Sequence, residues 1–217
     1  MNSPNRPITT TEFIANELRK DILSGKIKSK ERLRQNEISA NFGVSQTPVR
    51  EALKLLTAEG LVSFDSYKGA IVRELCYKDA KEIYDLRILL EPILIENGFK
   101  NFEQKFLDEA YAIQEKIENC TDVNEWAILN DKFHNCFWKS EINSRLFSIV
   151  EGLKTAAMSY VSLSLIYKHD HIALSNIAHR AILEACMERD LPKLIKLSVE
   201  HTDQTRDILE DVIKNVV

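Results

Sequence analysis

Residues Glu31–Gly60 read ERLRQNEISANFGVSQTPVREALKLLTAEG, and the rest of the chain is organised around them. Asn36 to Phe42 has the spacing of a short helix, with Ile38 and Phe42 four residues apart on one face. Gly43 follows, a residue free to take the left-handed backbone that ends a helix and turns the chain. Val44 plugs the turn and Ser45 is placed to cap a second helix with its hydroxyl. Pro48 falls in that helix's first turn, where a missing N–H costs little. Val49, Leu53 and Leu56 make its buried stripe, Ala52 allows a close crossing, and Gly60 stops it. Ser45, Gln46, Thr47 and Arg50 are left facing outward at its N-terminal end. Two helices across a tight turn, the second presenting such side chains, suit the reading of base edges and phosphates in a major groove.

GVSQTPVREALKLLTAEGLV resembles the GntR family of bacterial transcription regulators, whose usual form is GVSRTPVREAL followed by L, EG and L. The resemblance extends from about Ile14 to Val72. Upstream, Thr9 or Thr10 opens a helix whose apolar face is Phe13, Ile14, Leu18 and Ile22, and Ser24-Gly25 closes it. Where the family has Pro-Gly, this chain has Lys28-Ser29-Lys30, a departure that loosens a turn and adds charge. Residues 1–8 read as a frayed arm in which Arg6 is within reach of a phosphate.

After Gly60 the period becomes strand-like. Leu61–Phe64 and Ala70–Val72 flank Asp65-Ser66-Tyr67-Lys68-Gly69, which reads as a hairpin. A hairpin behind a recognition helix is a wing, and the resemblance implies that its tip enters the minor groove. Lys68 and Gly69 match that tip; otherwise Lys68 is a solvated turn lysine.

Composition fits this division. The net charge is −4, with 44% hydrophobic and 29% charged residues. Residues 1–75 hold 12 Lys+Arg against 9 Asp+Glu, and residues 76–217 hold 17 against 24. A mildly basic front and an acidic rear suit a DNA reader joined to a domain that does not touch DNA. Cys76, Cys120, Cys136 and Cys186 form no CxxC pair and read as reduced packing thiols. No leader-like apolar segment or membrane-length apolar run stands out, so a cytoplasmic protein that does not enter a membrane is expected.

From Tyr77 onward, helical stretches run over about 78–97, 102–119, 123–140, 143–167, 172–189 and 191–215, separated by short polar breaks such as Asn97-Gly98. Pro92, inside the first, is expected to kink it. The fold class is therefore mainly α: an N-terminal winged helix-turn-helix over residues 1–75, then an all-α bundle of six or seven helices over 76–217. The rear half resembles the FCD domain of the fatty-acid-responsive GntR subfamily. Asp85-Leu86-Arg87 with Leu90-Glu91-Pro92, Phe133-His134, Asn143 with Leu146, His179 with Ala181-Ile182 and Ala185, and His201 carry that match.

Many such domains hold a divalent metal with an Asp and a His four residues apart, plus two later histidines. The resemblance puts His134, His179 and His201 at the histidine positions and Asn130 at that of the aspartate. Residues 130 and 134 share a helix face, whereas Asp131 is turned about a hundred degrees away. Three imidazoles suit Zn or Ni, and also Fe or Mn; a neutral Asn is a weaker ligand than a carboxylate. His169 and His171 read as ordinary hydrogen-bonded histidines. The resemblance turns Arg87 towards an acidic effector; read alone, it is a helix arginine paired with Glu91. Tyr84, Tyr160 and the run 156–167 fit either a cavity wall or core packing.

The function expected is that of a homodimeric transcription regulator. Asn36, Ser45, Gln46, Thr47 and Arg50 would read a two-fold operator, and a small organic acid in the rear domain would set DNA affinity. Gln46 stands where the family has arginine and suits adenine. A metalloenzyme carrying a DNA-binding head is the rival, but no HExxH, GxSxG or phosphate loop is present, nor the second Glu-x-x-His of a di-metal bundle. A rear domain that only dimerises is a third reading.

Overall fold

The computed structural model describes residues 8–65, 67–168 and 170–216; Arg6, Ser66 and His169 lie outside the described residues. The chain divides into two compact units, Met1–Glu74 and Leu75–Val217.

The first unit contains α1 (Thr10–Leu23), β1 (Arg32–Leu33), α2 (Gln35–Phe42), α3 (Gln46–Ala58), β2 (Val62–Asp65) and β3 (Gly69–Val72). Thr9 caps α1 in a reciprocal box with Glu12, satisfying two backbone donors that a helix start leaves free. Ile14, Ala15 and Leu18 of α1 pack on Val49, Ala52, Leu53 and Leu56 of α3, all buried. Phe13 departs from the expected face: it is half exposed and meets the Phe42 ring edge-on at 6.1 Å. Ile14 and Leu18 already fill the contact with α3, which leaves Phe13 on the helix shoulder. Gly43 takes φ +65 between α2 and α3, and Ser45 stands at the N-cap of α3 without making the expected side-chain bond. The strands form an antiparallel sheet in the order β1-β3-β2. Arg32 pairs with Ile71 and Leu33 with Ala70, so the wing is tied back to the chain ahead of α2. At its tip Asp65 Oδ1 accepts from the Tyr67 and Lys68 amides at 2.8 Å each, and Gly69 takes φ +76.

The second unit is helical: α4 (Tyr77–Phe99), α5 (Gln104–Glu118), α6 (Val123–Asn135), a 3-10 segment (Cys136–Glu141), α7 (Arg145–Tyr167), α8 (Asp170–Met187) and α9 (Leu191–Val216). The expected helix over 123–140 breaks at Asn135, because Trp138 takes φ −133. The expected break at Asn97-Gly98 falls two residues later, with α4 running on to Phe99 and α5 starting at Gln104. A Cβ on Gly98 would lie 2.7 Å from Trp138 Cα, so the bare glycine lets the 3-10 segment press onto α4. Ser140 Oγ then donates to Gly98 O at 3.0 Å. Pro92 lies inside α4. Among the described residues α7 alone has the length and mean hydropathy, 1.2, of a membrane span, but half of that stretch is buried in this unit's own interior.

Candidate nucleic-acid interface and metal pocket

In the winged unit an open cleft of about 450 Å³ is lined by Arg32, Arg34, Asn36, Gln46, Lys68 and Gly69, among others. The start of α3 and the wing tip thus border one concavity, and four of the residues singled out for DNA contact meet there. Gln46 Nε2 donates to Asn36 Oδ1 at 2.7 Å, so the two amides present a joint surface. Ser45, Thr47 and Arg50 are exposed beside the cleft without lining it. Arg50 has only a loose contact, 3.6 Å, with Glu51. Arg32 and Arg34 were not singled out from the sequence. Arg32 enters through its pairing in β1, a strand too short to carry a periodic signal. The Asp65 carboxyl is held below its ordinary range by the Lys68 and Tyr67 amides.

In the helical unit, α6, α8 and α9 bring His134, His179 and His201 together. Their ring centroids are 4.9–5.1 Å apart, and one nitrogen from each can be chosen so that all lie within 4.8 Å of one another. All three are buried. Burial, reinforced by neighbouring charges, holds His134 and His179 well below the ordinary imidazole value and His201 at about 3, so the rings are neutral.

The hydrogen bonds around His179 fix its tautomer. Gln114, fully buried on α5, donates through Nε2 to Glu118 Oε1 and Asn176 Oδ1, both at 3.1 Å. Its Oε1 is left as the acceptor 2.8 Å from His179 Nδ1. Nδ1 therefore carries the proton, and the lone pair of Nε2 is available inside the cluster. His171, expected to be an ordinary hydrogen-bonded histidine, is so bonded, with Nδ1 2.8 Å from Ser164 Oγ, yet it also lines the pocket. Burial lowers its pKa to about 4.

Two small cavities of about 20 Å³ flank this cluster, with Arg87, Asn130, His134 and Val161 in both walls. Each has room for an ion, a water or a ligand atom or two. Tyr84 Oη, Trp126 Nε1, Asn130 Oδ1, Ser175 Oγ, His179 Nε2 and His201 Nδ1 are buried without a hydrogen-bond partner. Five of the six belong to residues lining the first cavity, and the sixth belongs to the histidine cluster. So many unmet polar atoms at one place are what water, an ion or a polar ligand would satisfy. The donor set fits a divalent metal, with two bare imidazole nitrogens and an amide oxygen directed inward.

Arg87 Nε donates to Glu91 Oε1 at 2.6 Å, and both residues are buried. Burial opposes the Arg87 charge, but Glu91 overcomes that and raises its pKa above the ordinary value. Arg87 is thus paired with Glu91, as its spacing alone suggested, and borders both cavities. Asp131 is turned to Lys154, 2.8 Å from its Nζ, and stays out of the histidine cluster. Tyr160 is not a wall residue of either cavity; its hydroxyl donates to Asp79 Oδ2 at 2.7 Å.

Residues 10–72 match the family model described as bacterial regulatory proteins, gntR family, and residues 82–204 match that of the FCD domain. The gluconate operon transcriptional repressor of Bacillus subtilis is 31% identical over 206 residues, covering 92% of this chain and 84% of that protein. An uncharacterised HTH-type transcriptional regulator of the same organism is 29% identical over 204 residues, 92% of this chain and 90% of the relative. Among solved structures, a GntR-family regulator from Pseudomonas syringae pv. tomato superposes with a TM-score of 0.56 at 26% identity, covering 94% of this chain and 86% of that one. These families and relatives are transcription regulators, not enzymes.

Proposed function

The chain belongs to the GntR family of bacterial regulatory proteins and carries an FCD domain, and from this premise we propose that it is a cytoplasmic homodimer whose DNA affinity is set by a small carboxylate bound beside a metal in the helical unit. The observation that carries this reading is the group of six unpartnered polar atoms around the histidine cluster, with buried Arg87 in the same wall. His134, His179, His201 and Asn130 would hold the metal, with Gln114 orienting His179. The metal would supply a Lewis-acidic centre for a carboxylate oxygen, and Arg87 a second anchor for it. Cavities of about 20 Å³ are too small for an organic acid, so its admission must move their walls. One of those walls is α4, which carries Arg87. Its exposed side carries Leu86, Leu89 and Ile93, an apolar stripe at helical spacing suited to α4 of a second copy. A wall that is also an interface gives the effector a route to the separation of two winged units.

On DNA, Asn36 and Gln46 would read base edges, Arg50 a guanine or a phosphate, Ser45 and Thr47 phosphates, and Lys68 and Gly69 the minor groove. Selection of bound sites from random duplexes tests this. The wild type is expected to select a two-fold repeat. Arg50→Ala should weaken that site by about 1–3 kcal/mol. Gln46→Arg should change the preferred half-site; an unchanged preference would exclude base reading at position 46, and an asymmetric site would overturn the dimer.

A further inference from the structure

The helical unit confronts a divalent ion with a charge problem. The three imidazoles are neutral and the fourth candidate ligand, Asn130 Oδ1, is an amide oxygen. The carboxylates nearby are already engaged by cations: Glu91 by Arg87, and Asp131 and Glu151 by Lys154. A metal bound by these groups alone would bring two positive charges into a buried site with no anionic ligand among them, which is costly. The same walls hold hydrogen-bond donors with nothing to donate to. Trp126 Nε1 can only donate, and Tyr84 Oη and Ser175 Oγ are likewise unpartnered. An anion would answer both needs.

We propose that the pocket is a joint cation–anion site, in which Asn130 makes divalent-metal binding depend on a carboxylate that completes the metal's shell. The carboxylate supplies the charge that Asn130 lacks and takes up the Trp126, Tyr84 and Ser175 donors. The metal in turn holds the carboxylate, and linkage makes the two dependences equal. Asn130 therefore acts as a specificity residue, setting whether the site responds to metal alone or to metal with acid. This rests on the metal-and-effector reading of the helical unit given above.

The test is calorimetric titration of the intact, chelator-stripped protein with Ni²⁺ in carboxylate-free buffer, then with excess acetate or succinate. Thermal unfolding of each variant checks that it is folded. The wild type should bind Ni²⁺ about 5- to 150-fold more tightly with the carboxylate present. Asn130→Asp should bind Ni²⁺ tightly without it and lose most of the coupling. His179→Ala should bind little metal in either buffer. Equal wild-type affinity in both buffers, or no gain from Asn130→Asp in carboxylate-free buffer, would overturn the joint site while leaving a metal pocket standing. No Ni²⁺ binding by wild type or Asn130→Asp in any buffer would remove the metal pocket as well.

Discussion

The two units use their polar residues in opposite ways. Among the described residues, Arg19 is the one buried polar side chain of the winged unit, whereas the helical unit buries fifteen. The winged unit keeps Asn36, Gln46, Arg50 and Lys68 at the surface, where a rigid polymer can reach them without any part of the protein opening. The helical unit encloses Arg87, Gln114 and four histidines; Arg87, Gln114 and His171 find partners inside it, whereas His179 Nε2 and His201 Nδ1 do not. Enclosure costs stability wherever a buried group lacks a partner, about 1–3 kcal/mol each. A ligand that met those atoms would remove the cost.

Acid should separate the units most strongly. Every histidine of the chain lies in the helical unit. His171 and His201 have pKa values of about 4 and about 3 in the fold, against an ordinary value of 6.5. Between these limits the unfolded chain binds more protons than the folded one, so stability is retained above pH 6.5 and lost as pH falls towards 4. The slope for the metal-free protein is about 1.4 kcal/mol per pH unit for each such histidine. Both tryptophans, Trp126 and Trp138, are in the helical unit, so their fluorescence follows its unfolding alone. A helical unit as stable at pH 5 as at pH 7 would contradict the neutral, buried cluster.

A smaller contrast comes from one ion pair in each unit. Glu91→Ala leaves Arg87 as a buried, unpaired cation and should cost about 3–5 kcal/mol. Glu59→Ala removes the forked partner of Arg19, whose bonds of 2.7 and 2.5 Å lie nearer the surface. That change should cost about 1.5–3 kcal/mol. Amide hydrogen exchange reads the two losses separately. Equal costs would mean that enclosure does not distinguish the pairs.

The sequence made legible whatever depends on local pattern. Gly43, Pro48 and the Val49–Leu53–Leu56 stripe define the helix-turn-helix within a few turns of chain. The long periodic runs define the bundle, and the histidine positions followed from a family resemblance. What it withheld depends on distant contacts. β1 is two residues long and exists only through its pairing with β3. The break at Trp138 interrupts a run whose periodicity stays helical, and the close packing seen there is against Gly98, forty residues earlier. Gln114 had no local mark either; its role appears only where α5 meets α8 and its oxygen faces His179. His171 looked ordinary for the same reason, since its place in the pocket wall follows from how α8 packs.

The smallest effect concerns the backbone, and here the units should behave alike. Lys30 takes φ +65 and Arg189 takes φ +56, left-handed conformations in which a side chain is strained and glycine is not. Lys30 falls where the chain departs from the family's Pro-Gly, so the lost glycine and the strained lysine are one feature. Each of Lys30→Gly and Arg189→Gly relieves that strain but loosens the unfolded chain, leaving a net gain of about 0.5 kcal/mol. Lys30→Gly also gives up the exposed contact with Glu74, which is worth little. Hydrogen exchange should therefore show a slight gain in the winged unit for the first change and in the helical unit for the second. A loss at Lys30 with a gain at Arg189 would mean that the Glu74 pair outweighs the strain it accompanies, and that surface charge matters more to the winged unit than its exposure suggests.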